Sequence, residues 1–162
     1  NLGDVVPSSW YKKRNNPNKD GVGGSGGEHH GIDFAASGAA TKLLGMPLYS
    51  TTGGTVRYVR TGYNDGCGNS VKWEDPAGYY HWYMHMRDPG PLVKKDQVIE
   101  PGTLIGYVGY TGSTIPVGEG GTHLHYSIHK GEPMSEGVCD TNPLTYFNNY
   151  NPNPSDSSGN TG

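Results

Sequence analysis

Apolar and polar residues alternate with a period of two along several short stretches of this chain, and clusters of glycine and proline separate them. Side chains on a strand point alternately to opposite faces, so the pattern predicts β-strands rather than helices. The expected strands cover residues 46–50, 54–60, 69–74, 79–86, 103–109 and 122–130. The first two read as a hairpin around Thr52-Gly53-Gly54, and a glycine-rich loop at 111–121 delivers the chain into the last strand. No stretch shows sustained helical periodicity. The expected fold class is mainly β, with an antiparallel β-sheet core and little helix.

Composition supports this reading. Glycine (27) and proline (12) fill roughly a quarter of the 162 residues, well above ordinary usage, which favours turns and loops over long helices. The length suits one domain with a modest core. Residues 1–26 read as a polar, loop-like N-terminal segment packing on or leading into a domain at 27–150, and 151–162 as a disordered tail or linker. The polar ends suggest a monomeric module of a larger chain. A net charge of -3, with Lys and Arg scattered, gives no pull toward nucleic acid or anionic membranes. No apolar run reaches the length of a membrane span, so no membrane insertion is expected. Cys67 and Cys139 are too few for a four-cysteine zinc site; they are either two thiols or one disulfide tying a glycine loop to the C-terminal segment.

Candidate chemistry lies in two histidine clusters far apart in the chain. One is Glu28-His29-His30-Gly31-Ile32-Asp33-Phe34 and the other is Gly121-Thr122-His123-Leu124-His125-Tyr126. Together they offer two imidazoles and a carboxylate for one metal, with a histidine left over: the ligand set of a hydrolytic zinc site with a position open for water. If residues 29–33 are extended, His29, Gly31 and Asp33 share a face. At about 3.3 Å per residue the outer two then stand about 13 Å apart, too far for one ion unless the chain bends. Gly31 is where a bend costs least. In the last strand His123, His125, Ser127 and His129 face one side, with Leu124, Tyr126 and Ile128 toward a core. The same spacing separates His125 from His129, which reads as a rim or solvated residue. Spacing alone does not choose between His123 and His125 as the ligand. The strand at 79–86 carries a polar stripe of His81, Tyr83 and His85 opposite a buried stripe of Trp82, Met84 and Met86. On a face shared with the clusters, His85 would be placed to act on water or on a tetrahedral oxyanion.

From Gly27 to Phe147 the chain resembles the lysostaphin-like zinc endopeptidases that cut peptidoglycan peptides. His29-His30-Gly31-Ile32-Asp33 fits an H-x-G-x-D pattern, Tyr83-Met84-His85 a Y-x-H strand, and His123-Leu124-His125-Tyr126 an H-L-H-F/Y motif. Gly102 to Gly109, followed by Thr111-Gly112, fits a G-x-x-I-G-x-x-G segment, and Asn142-Pro143-Leu144 the usual exit. The resemblance implies that His29, Asp33 and His125 bind one zinc ion per chain and that His85 and His123 are the catalytic histidines. It implies a site in a groove walled by long loops, and His81, Tyr83, Tyr107 and Tyr110 are read here as residues of that groove. His30 and His81 are extra histidines, read as groove-lining or structural.

The implied activity is hydrolysis of amide bonds in peptidoglycan stems or cross-bridges, by a secreted or cell-wall-associated bacterial or phage protein. The segment 42–45 and the loop 111–121, which contains Glu119, depart from the usual lengths and leave the cleaved bond open. The alternative is a catalytically inactive wall-binding or activator domain of the same fold, and the presence of all five motif residues argues against it. A D-alanyl-D-alanine dipeptidase-like enzyme would need a wider His–Asp spacing and a downstream E-x-x-H. A third possibility is a structural β domain with a fortuitous cluster.

Overall fold

The computed structural model describes residues 5–11, 29–131 and 140–149. Among these residues ten strands form: β1 (Val5–Ser9), β2 (Ile32–Ala36), β3 (Pro47–Tyr49), β4 (Gly54–Arg60), β5 (Asn69–Glu74), β6 (Tyr79–Met86), β7 (Val98–Ile99), β8 (Leu104–Tyr107), β9 (Leu124–Lys130) and β10 (Asp140–Thr141). The helix α1 (Pro143–Asn148) follows, opened by Asn142, whose side chain accepts from the Leu144 amide, and by Pro143 in its first turn. Eight strands make one antiparallel sheet in the order β1-β2-β9-β6-β5-β4-β7, with β10 pairing β9 beyond the end of β2, while β3 and β8 form a second, two-stranded sheet. The mainly β, antiparallel class expected from the alternation holds.

The expected hairpin at 46–60 does not form. β3 pairs with β8, and β4 pairs with β5 and β7. Residues 50–53 between them serve the core instead: Thr52 is fully buried and its Oγ1 accepts from Trp73 Nε1 at 2.9 Å. Within the N-terminal segment expected to be loop-like, β1 pairs with β2 and extends the sheet.

Directly opposed residues on antiparallel strands share a face. Val71↔Tyr83, Tyr83↔Tyr126, Ile32↔Tyr126 and His81↔Ile128 therefore define one face, and these apolar residues join Val56, Trp73, Met86, Ile105 and Val108 in the core. Asp33↔His125, Met84↔His125, Trp82↔Ser127 and Tyr80↔His129 define the other. The stripes of β6 are thus the reverse of those expected. His81 and Tyr83 point into the core, and Trp82 and Met84 share the face of His125. Periodicity could not choose between them, because Trp82, Met84, His81 and Tyr83 are all buried. His129 is likewise buried, stacked with Tyr80 at 5.9 Å, and not the rim residue expected.

The buried polar groups on the core face are hydrogen-bonded to one another. His81 Nε2 lies 2.9 Å from Asp75 Oδ2, and its Nδ1 lies 2.6 Å from the Tyr126 hydroxyl. That hydroxyl is 2.9 Å from Thr51 Oγ1, and the Tyr146 hydroxyl of α1 donates to Asp75 Oδ2. A neutral His81 protonated on Nε2 satisfies every member.

Candidate active site

Three elements bring the two histidine clusters together. Asp33 on β2 and His125 on β9 are cross-strand partners, with Asp33 Oδ1 2.7 Å from His125 Nδ1. His29 precedes β2, in a stretch that is bent rather than extended, and places its Nε2 3.1 Å from Asp33 Oδ1 and 3.2 Å from His125 Nδ1. Gly31 permits this through space and not through an unusual dihedral. A Cβ there would lie 2.5 Å from the Tyr126 carbonyl oxygen and 2.9 Å from His125 Nε2. Among the described residues, His29, Asp33 and His125 are the group whose ligand atoms converge closely enough for one ion.

The donor set fits zinc. Ligand atoms about 2.05 Å from a tetrahedral ion stand about 3.3–3.4 Å apart, so this triangle needs to open only slightly to accept one. The imidazole of His29 is held from behind, its Nδ1–H donating to the Trp10 carbonyl at 3.0 Å, which leaves Nε2 as the ligand atom. Burial acts to raise the Asp33 carboxyl, but the hydrogen bond from His125 and the close approach of the His29 imidazole outweigh it and hold the group far below the ordinary carboxylate range. It is therefore ionised, as a ligand must be.

Beside the triangle sit two more imidazoles. His123 Nε2 is 3.8 Å from Asp33 Oδ1, and the His85 and His123 rings lie 4.6 Å apart. Each is oriented by a backbone carbonyl: His123 Nδ1 donates to Gly121 at 2.7 Å and His85 Nδ1 to Thr111 at 2.8 Å. A carbonyl only accepts, so in both neutral rings the proton is on Nδ1 and Nε2 carries the lone pair. Burial, reinforced by the neighbouring His123, pushes His85 down to about 4, and burial lowers His123 too, so both are neutral near pH 7.

His85 reaches this face through a break in alternation. Val71 opposes Tyr83 while Asn69 opposes Met86, so two steps on β5 face three on β6, a β-bulge. Within it His85 adopts φ +58°, a left-handed conformation that non-glycine residues rarely take. Strict alternation would have sent His85 into the core beside Tyr83.

Of the expected groove residues, His81 (0% exposed) and Tyr83 (3% exposed) cannot line a groove in this structure. The Tyr83 hydroxyl donates to the Tyr49 carbonyl at 2.8 Å. Tyr107 and Tyr110 remain partly exposed, and Tyr110 lies between Gly109, whose carbonyl accepts from the His123 amide at 3.4 Å, and Thr111. His30 is half-buried and outside the ligand triangle. Cys139 lies outside the described residues, and with it the choice between two thiols and a disulfide to Cys67. The carbonyls of Trp10, Gly121 and Thr111 escaped sequence reasoning, because every residue has a carbonyl and only the fold aims one.

Residues 27–136 match the sequence profile of peptidase family M23. The chain belongs to peptidase family M23. That membership agrees with the motifs quoted above and with their reading as those of a metallopeptidase. Among curated M23-like relatives, the L-Ala--D-Glu endopeptidase of Bacillus subtilis is 32% identical over 71% of this chain and 33% of its own length. The glycyl-glycine endopeptidase ALE-1 of Staphylococcus capitis is 30% identical over 96% of this chain and 40% of its own. The chain thus spans well under half of either relative. A zinc-containing peptidase from Vibrio cholerae is similar in structure, with TM-score 0.58 and 31% identity over 79% of this chain and 34% of that one.

Proposed function

We propose that this M23 domain is a zinc endopeptidase that hydrolyses amide bonds in the peptide stems or cross-bridges of peptidoglycan, acting outside the cell or at the wall as one module of a larger chain. The observation that carries the reading is the His29–Asp33–His125 triangle, both its histidines buried, flanked by two neutral histidines that each carry a lone pair at Nε2. The names of the two curated relatives, both endopeptidases, support the reaction type, and the zinc-containing peptidase of similar fold supports the metal.

His29 Nε2, Asp33 Oδ1 and His125 Nδ1 would hold the ion. Bound there, zinc supplies Lewis-acid polarisation of the scissile carbonyl and lowers the pKa of water toward neutrality. The remaining work falls to the two flanking histidines. One takes the proton of the attacking water at Nε2, held in line by the carbonyl behind its Nδ1, and passes it on to the departing amine. The other, when it carries a proton at Nε2, donates to the developing oxyanion. No H-E-x-x-H glutamate is present in the sequence, so a histidine takes the base role.

The test is release of new amino groups from purified cell walls, with and without zinc removal, together with mass spectrometry of the fragments. Walls with glycine cross-bridges and walls without them separate glycyl-glycine cleavage from cleavage within the stem. Saturable binding of zinc-loaded protein to walls without any new amine would replace this reading with that of an inactive wall-binding domain.

A further inference from the structure

The kink that delivers His85 to the site needs a counterpart to hold it. The geometry points to Thr111 as a positioning residue for the proposed reaction, fixing the ring and the backbone of His85 at once. This inference rests on His85 acting in turnover as described above.

Thr111 touches the kink at three points. Its carbonyl accepts the His85 Nδ1 proton at 2.8 Å. Its hydroxyl donates to the Met86 carbonyl at 2.6 Å, the residue immediately after the kink. The same hydroxyl accepts from the Asn69 amide at 2.9 Å, across the bulge on β5. One donation and one acceptance engage the hydroxyl on both strands of the bulge.

Asn69, fully buried, completes the arrangement. Its Nδ2 donates to the Met86 carbonyl at 3.2 Å and to Asp88 Oδ1 at 2.9 Å, and its Oδ1 accepts from the Gly62 amide at 2.8 Å. The backbone amide of His85 donates to the Cys67 carbonyl at 2.9 Å. The loop carrying Cys67 and the segment carrying Thr111 interlock through glycines. A Cβ on Gly68 would sit 2.3 Å from the Thr111 carbonyl oxygen, and one on Gly112 would sit 2.3 Å from the Gly66 carbonyl oxygen. The carbonyl that selects the His85 tautomer is therefore fixed by the Thr111 side chain on one side and by Gly68 on the other. Without the hydroxyl, Met86 keeps the Asn69 side chain, but the link from the Asn69 amide through Thr111 to the Met86 carbonyl is lost, and the carbonyl that accepts from the ring loses its anchor.

Thr111→Val removes the hydroxyl at nearly constant shape, and Thr111→Ser keeps it. With zinc-loaded protein and the soluble glycyl-glycine or L-Ala–D-Glu peptide that the wild type cleaves, Thr111→Val is expected to lower kcat by about 10- to 100-fold at unchanged KM and unchanged zinc content. Thr111→Ser should stay within about twofold. Nitrogen-15 NMR of the ring should show His85 protonated on Nδ1 in the wild type and in Thr111→Ser, and a mixture of tautomers in Thr111→Val. Wild-type kcat in Thr111→Val, equal losses in the Ser and Val variants, or a wild-type His85 protonated on Nε2 would each overturn the proposal. The wild-type spectrum decides even if Thr111→Val does not fold. Full turnover by His85→Ala, with the Nδ1 tautomer intact in the wild type, would instead overturn the role given to His85 and leave Thr111's hold on the ring standing.

Discussion

A methyl group at position 31 tests the metal site most directly. In Gly31→Ala the new Cβ would begin 2.5 Å from the Tyr126 carbonyl oxygen, 2.9 Å from His125 Nε2 and 3.0 Å from His125 Cε1. Ordinary contacts to carbon are nearer 3.4–4 Å, so roughly 0.5–1 Å of movement is required. The Tyr126 carbonyl belongs to β9 opposite Ile32, so it yields only if β2 and β9 part. The His125 ring yields only if Nδ1 leaves Asp33 and His29. Zinc–ligand distances tolerate about 0.2 Å. A displacement several times larger should weaken zinc binding by about 10- to 100-fold, or about 1.4–2.8 kcal/mol, and overpacking should cost about 1–3 kcal/mol of stability. Competition with a chromophoric chelator gives the zinc affinity, and melting with and without zinc gives the linked stabilisation, which should shrink. Gly78→Ala is the control. Gly78 has φ +85° and open space around its missing Cβ, so a side chain there strains the backbone without touching the site. Zinc affinity within twofold of wild type in Gly31→Ala, or an equal loss in Gly78→Ala, would refute the reasoning.

Asp33→Ala and His125→Ala should lose zinc and activity together, whereas His85→Ala should keep one zinc per chain by elemental analysis and lose about 10²–10⁴ in turnover. Removal of residues 1–11 takes away the Trp10 carbonyl behind His29, and should weaken zinc about 10- to 100-fold in the same competition assay. Burial lowers His81 from its ordinary 6.5 despite the opposing pull of Asp75, so below pH 6.5 the unfolded chain takes up a proton that the folded chain refuses. Stability should therefore fall as pH drops from 6.5 toward the lowered folded value, with a smaller slope in His81→Asn; a urea midpoint constant from pH 7.5 to 5 would count against this. Burial acts to raise Asp75, but hydrogen bonds from His81, Tyr146 and the Tyr79 amide leave it below its ordinary 3.8, so its contribution is full above 3.8 and is lost only at lower pH.

Much of the fold and of the candidate site was legible in the sequence. The strands at 54–60, 69–74 and 79–86 stand where alternation and turn residues placed them, because a strand's existence is a local matter of side-chain period and glycine or proline punctuation. The two clusters that supply His29, Asp33 and His125 as candidate ligands stood out because a zinc site draws on few residue types, while the choice of His125 over His123 came from the family resemblance. The short elements were not legible. β7 and β10 have two residues each and α1 six, too few to show a period.

Pairing and facing were decided by the tertiary structure. β3 left its sequence neighbour for β8, since which edges meet depends on the whole sheet. Both faces of β6 are buried, so its hydrophobic pattern held no information about which side met the site. The position of His85 depends on a single left-handed residue and a bulge, held by Thr111 and Asn69 from two distant segments. Chemical identity is written residue by residue, and the sequence displays it. Which carbonyl stands behind which ring, and on which side of a kink a histidine emerges, are consequences of long-range packing that no local pattern encodes.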